Sequence, residues 1–417
     1  MTMKICGAGE RGIEILRDRV QTPHARLRGA TAPDGATAPD GATAPGRQGT
    51  DHNSCPLLYP RRRLLGASPH SVAIYCRVLP CRVLPCRVLP CRVLPCRVLP
   101  YRVLSRLLLS CLLFVTLSHA YAQAPQLDRE AVYQKALPLY QYDSAKPLAV
   151  KLGASQTIGA VKFLRFSYLS TNSQRVPALL FTPQGVSAAK PVPCIVILHG
   201  LGSSKEIMAG YALAAAKFGY ASLVIDEYGQ GERGPLKTVP NQQTEQLAAT
   251  VMQTAVDVRR GLDYLQTRPE IDGRRVGLAG VSLGAIIGTV VSGVEPRIKA
   301  AVLISGGGDW GLILKTLSAR SATVGQWDTS AFKKINFAQL NALLAPEDPL
   351  TFAPHIAPRP ILMLGGRKDT TIVPLAQTEL FDAVRQPKQS IWYPQYGHVP
   401  PPEVVFPAMQ KFFAGTL

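Results

Sequence analysis

Residues 160–417 predict an α/β domain, a mostly parallel eight-stranded sheet flanked by helices, with a small helical cap inserted at about 311–346. Three observations carry this. Short apolar runs recur along the segment. They alternate with stretches of helical length and pattern. Most of them end in Gly, Asp, Ser or His. Unbroken apolar runs suit strands covered on both faces, and their alternation with helical patterns signals βαβ units.

Taken in order, 123–159 reads as a helical, partly irregular lead-in. Val161–Leu169 and Val176–Thr182 alternate apolar and polar residues around Thr171-Asn-Ser and read as a strand pair. Cys194–Leu198 is a continuous run that stops at His199-Gly200, and Ala221–Ile225 stops at Asp226. Arg275–Ala279 leads to Gly280, and Ala300–Ile304 to Ser305-Gly-Gly-Gly. Ile361–Leu364 ends at Gly365-Gly366, and Ser390–Tyr393 is the last run. Helices are expected at Ile207–Phe218, Thr244–Thr267, Leu283–Ser292, Leu375–Val384 and Pro402–Phe413. The cap fits no strand and carries helical stretches, with Trp310 and Trp327 near its edges as candidates to shape a pocket.

The first 122 residues are of another character. They hold 17 Lys/Arg against 6 Asp/Glu, and eight of the nine cysteines. Gly29–Pro45 repeats G-A-T-A-P-D, and Cys76–Pro100 repeats C-R-V-L-P five times. A proline in every copy blocks helix continuation. The repeats hold neither a histidine nor a C-x2-C pair, so a metal site is not expected. Residues 1–101 are therefore expected to be a disordered or mis-assigned extension. Arg102-Val-Leu-Ser-Arg106, the apolar run Leu107–Ser118 and Ala120-Tyr-Ala122 then make a basic, apolar and A-x-A series. That series predicts a secretory signal peptide over 102–122, cleaved near Ala122. Its apolar run is shorter than the roughly 20 residues a bilayer span needs, so no membrane anchor is expected in the mature form. A true start near Val103 or Leu104 fits this reading. Neither Cys111, as a lipid site, nor Arg61–Arg63, as a twin-arginine signal, has the expected flanks.

Beyond residue 122 the charge is only moderately basic, with 29 Lys/Arg against 21 Asp/Glu. No basic stripe is interleaved with aromatics, which argues against a nucleic-acid partner. Cys194 lies in an apolar run and reads as a small buried hydrophobe.

The chemistry centres on Gly280-Val-Ser282-Leu-Gly284. Alone this pattern is weak. Its place directly after an apolar run and directly before a helix is that of a nucleophile elbow. A serine hydroxyl needs a base. His199, His355 and His398 are the candidates, and His398, in Tyr396-Gly-His-Val-Pro after the last strand, is the one expected. His199 is expected to shape its loop. The base needs a carboxylate to fix its tautomer. Asp369, in Gly365-Gly-Arg-Lys-Asp, gives the order Ser…Asp…His, and Asp309 is its rival. The oxyanion donors are expected to be the N–H groups of Leu283 and of Leu201 in His199-Gly-Leu-Gly. Asp226, Glu227 and Glu232 lack the clustered histidines or further carboxylates of a metal site, so structural capping roles are expected of them; no metal or cofactor is expected.

With His199-Gly-Leu-Gly-Ser-Ser-Lys205, Asp226-Glu-Tyr-Gly-Gln-Gly231, the elbow, Gly366–Pro374 and Gly397-His398, the segment 160–417 resembles the α/β-hydrolase superfamily. Within it the likeness is to the dienelactone-hydrolase and acetyl-xylan-esterase-like branch, which shades into prolyl-oligopeptidase catalytic domains. The resemblance implies the α/β-hydrolase fold, a Ser–Asp–His triad and an acyl-enzyme route acting on a small-molecule ester. It departs from dienelactone hydrolases proper, which use a cysteine nucleophile, and lacks the propeller of prolyl oligopeptidases. The expectation is an exported serine hydrolase of carboxylic esters. A small-peptide or amide hydrolase, an acyltransferase and a non-catalytic binding protein are the alternatives.

Overall fold

The structure, a computed structural model, describes residues 127–234, 242–320 and 336–417, with the short strands between 323 and 328 and Phe332. The expected repeat extension (1–101) and signal peptide (102–122) lie outside the described residues.

The chain enters through helix α1 (Arg129–Ala136), whose N-cap Asp128 accepts from Ala131 N–H at 3.0 Å. Strand β1 (Lys151–Ile158) pairs antiparallel with β2 (Val161–Leu169), and β2 antiparallel with β3 (Arg175–Pro183). Next come β4 (Val192–Leu198), α2 (Ala209–Lys217), β5 (Ala221–Ile225), α3 (Gln243–Gln266) and β6 (Ile271–Val281). They are followed by α4 (Leu283–Val294), β7 (Ile298–Ile304) and α5 (Trp310–Arg320). A two-strand ribbon, β8 (Thr323–Val324) against β9 (Trp327–Asp328), precedes α6 (Phe337–Leu343) and α7 (Pro349–Phe352). Finally come β10 (Ile361–Gly366), α8 (Pro374–Ala383), β11 (Lys388–Tyr393) and α9 (Pro402–Ala414).

The sheet runs β1-β2-β3-β5-β4-β6-β7-β10-β11 and is parallel from β5 onward. It has nine strands rather than the expected eight. The additional strand is β1, inside the segment expected to be a helical lead-in. Its sequence, K-L-G-A-S-Q-T-I, is almost wholly exposed. A strand with no buried face leaves no period-two apolar signal and is held at the edge by backbone pairing. The cap likewise departs from expectation in carrying the β8–β9 ribbon between its helices.

The central strands bury both faces, as their continuous apolar runs require. In β4, Cys194, Val196 and Leu198 belong to the core on one side, with α3 and α4. Ile195 and Ile197 belong to the core on the other, with α2 and α9. Burying each such side chain contributes about 1.5–3 kcal/mol. Cys194 is fully buried and unpaired, and burial pushes its thiol up to about 12. Because β4, β5, β6, β7, β10 and β11 run parallel, their C-terminal ends share one edge, where α/β sheets collect their functional loops.

Candidate active site

Ser282 sits between β6 and α4 with φ +57° and ψ −117°. A non-glycine residue with positive φ stores about 1–3 kcal/mol and persists only when its surroundings impose it. Here Ser282 N–H donates to Ile304 O of β7 at 2.8 Å, while its carbonyl accepts from Ala285 and Ile286 N–H. The flanking glycines are steric requirements. A Cβ on Gly280 would lie 2.2 Å from Gly284 O, and one on Gly284 would lie 2.4 Å from His199 O.

His398 follows β11. Its Nε2 is 2.9 Å from Ser282 Oγ, and its Nδ1 is 2.9 Å from Asp369 Oδ2. The Asp369 carboxylate is wholly buried, against 26% exposure for the His398 ring. Asp369 Oδ1 accepts from the N–H groups of Thr371 and Ile372, and Oδ2 also accepts from Gln377 Nε2 at 2.9 Å. A carboxylate so fixed accepts the Nδ1 proton, leaving Nε2 free to accept from Ser282 O–H. The three expected residues thus form one hydrogen-bonded chain. Asp309 stands apart from it: its Oδ1 accepts from Leu312 N–H at 2.7 Å and Asn341 Nδ2 at 2.7 Å, capping α5 against α6.

Leu283 is the first residue of α4, so its N–H has no intrahelical acceptor. The loop after β4 lies against the serine: a Cβ on Gly200 would be 3.4 Å from Ser282 Cβ. His199 is fully buried beneath that loop. Glu227 N–H donates to its Nε2 at 3.2 Å, so its proton is on Nδ1, which donates to Gly200 O at 2.9 Å. Burial lowers its basicity further. In a trans peptide the C=O and N–H point oppositely, so holding Gly200 O toward the imidazole turns Leu201 N–H away from it.

The loop after β5 braces this arrangement. Gln230 Oε1 accepts from Gly202 N–H at 2.8 Å. The fully buried Lys205 ammonium meets Asp226 at 2.6 Å, Glu232 at 2.7 Å and Glu206 at 3.0 Å. Burial alone would lower the Lys205 pKa, but the Asp226 carboxylate and its hydrogen bonds raise it. Asp226 and Glu232 are therefore occupied by a cation of the chain itself. Glu227 is also fully buried and its carboxyl is pushed well above the usual range, by burial and then by Asp226. Among the described residues no group of three or more His, Cys, Asp or Glu side chains is arranged to hold a metal ion. Trp310, expected at the pocket edge, is buried and donates its indole N–H to Glu347 O at 3.2 Å. The Trp327 side chain lies outside what is described.

Sequence reasoning missed Gln377, Lys205 and Gln230. Only their places, one turn into α8 and in the loops after β4 and β5, could have pointed to them.

The dienelactone hydrolase family matches residues 176–399, more than half of the chain. The chain belongs to the dienelactone hydrolase family. That stretch runs from β3 to the residue after His398 and so includes the whole site. A putative hydrolase of Bacillus subtilis, YtaP, is 23% identical over 199 residues, 44% of this chain and 64% of YtaP, just under two thirds of that relative. A putative esterase of the same organism, YitV, is 28% identical over 197 residues, 46% of this chain and 74% of YitV. Among solved structures, the acetyl xylan esterase from Paenibacillus sp. R4 superposes with a TM-score of 0.59 at 22% identity, over 70% of this chain and 96% of that one. That likeness establishes the α/β-hydrolase fold.

Proposed function

We propose that the protein is an exported hydrolase of carboxylic esters that works through an acyl-enzyme on Ser282. The observation that carries this reading is the unbroken chain from Asp369 through His398 to Ser282, 2.9 Å at each step. Membership of a hydrolase family and similarity to proteins named as esterases support it. Ser282 Oγ attacks the ester carbonyl as His398 Nε2 takes its proton. Asp369 holds the ring and stabilises the imidazolium. Leu283 N–H, with Leu201 N–H across the loop, takes the charge developing on the carbonyl oxygen; each such donor is worth about 10²–10³ in rate. His398 returns its proton to the leaving alcohol, then activates water to release the acid. Export rests on the 102–122 signal pattern.

The test is turnover of p-nitrophenyl esters of increasing acyl length, beside aminoacyl anilides, by the full chain and Ser282→Ala. Ester turnover lost in Ser282→Ala is the expected result. Anilide turnover without ester turnover would replace the reading with the amide hydrolase. N-terminal sequencing of protein recovered outside the cytoplasm should begin at Gln123; a first residue well upstream would overturn the 102–122 signal peptide, and failure to find the protein outside the cytoplasm would remove the export step.

A further inference from the structure

We propose that Ser305 is a positioning residue for His398, acting through the backbone of Val399. This rests on reading His398 as the general base. Val399 directly follows His398, and its φ is +58°. A β-branched residue is an outlier there. Pro400 comes next, and a residue before proline is driven toward extended backbone. Both local preferences therefore oppose the conformation, so a tertiary contact must impose it.

That contact is Ser305. Val399 N–H donates to Ser305 Oγ at 3.2 Å. Ser305 is wholly buried at the end of β7, and its own N–H donates to Leu364 O of β10 at 2.7 Å. The hydroxyl is thereby anchored to the middle of the sheet. On the other side of the histidine, Lys368 N–H donates to Tyr396 O at 3.0 Å, from the loop that carries Asp369. His398 is bracketed by these two bonds. The residue before Ser305, Ile304, is the one whose carbonyl accepts from Ser282 N–H. The last residue of β7 and the one directly after it therefore fix the backbones of nucleophile and base together, which locks the Oγ–Nε2 approach. A displacement of about 1 Å in such a pair costs roughly 10²-fold in rate.

The test compares the full-length protein with Ser305→Ala and with the double variant Ser305→Ala/Val399→Gly. The readouts are kcat and KM on p-nitrophenyl acetate and amide exchange at Val399. Ser305→Ala should lower kcat roughly 10- to 100-fold with little change in KM, and should speed Val399 exchange. Glycine takes positive φ freely, so the double variant should recover most of kcat. Wild-type kcat in Ser305→Ala overturns the proposal, as does a loss that the double variant does not recover. If wild type shows no Ser282-dependent turnover, the parent reading fails. Exchange then decides separately: fast exchange at Val399 in the wild-type protein removes the Ser305 bond, even where Ser305→Ala does not fold.

Discussion

At the scale of single residues, two carboxylates separate by what they touch. Asp369 is buried against the imidazole and three other donors; Asp309 caps a helix. Asp369→Asn should lower kcat by about 10⁴-fold, because an amide cannot hold the Nδ1-protonated ring. Asp309→Ala should leave kcat essentially unchanged and cost about 1–2 kcal/mol of stability, as a lost cap does. Steady-state kinetics and chemical denaturation of both variants check this, and a large kcat loss confined to Asp309→Ala would reverse the assignment. These residues were legible because chain order and strand ends constrain them. Ser305 was not, because a hydrogen bond spanning 94 residues, to Val399, leaves no local pattern; Gln377 lies only eight residues from Asp369, but a lone amide one turn into a helix belongs to no motif.

At the scale of elements, the central strands announced themselves because each is apolar on both faces. Edge strand β1 did not, since its stability comes from pairing with β2 and not from its side chains. The sequence marks the loop after β4 as the oxyanion loop and the glycine-rich loop after β5 as a tight turn beside the site. What the sequence hid was that Lys205 ties them together from a fully buried position. Lys205→Met removes one partner from a buried ion cluster and strands Asp226, which should cost about 3–5 kcal/mol. The same variant should weaken activity through loss of order in the His199–Gly202 loop. Urea unfolding checks the first effect, and an unchanged midpoint would show that the cluster contributes nothing net.

At the scale of the molecule, buried acids set how stability responds to pH. Burial pushes Glu347 up to about 7, from an ordinary value of 4.5. Between those two values the unfolded chain releases the proton and the folded chain keeps it. The contribution is therefore full below pH 4.5 and is lost as pH rises through 7. Burial raises Asp348 and Glu227 in the same direction. Glu347→Gln should flatten the fall in stability between pH 4.5 and 8, recovering about 3 kcal/mol at the alkaline end. Thermal denaturation across that range checks it, and parallel curves for variant and wild type would count against it.

The account depends most on Ser282 being the nucleophile. Treating the full-length protein with a fluorophosphonate probe and mapping the adduct by mass spectrometry addresses that directly. A single adduct on Ser282, absent in His398→Ala and blocked by a competing ester, is the expected result. A folded protein that stays unlabelled, or that carries the adduct on another residue, would contradict it.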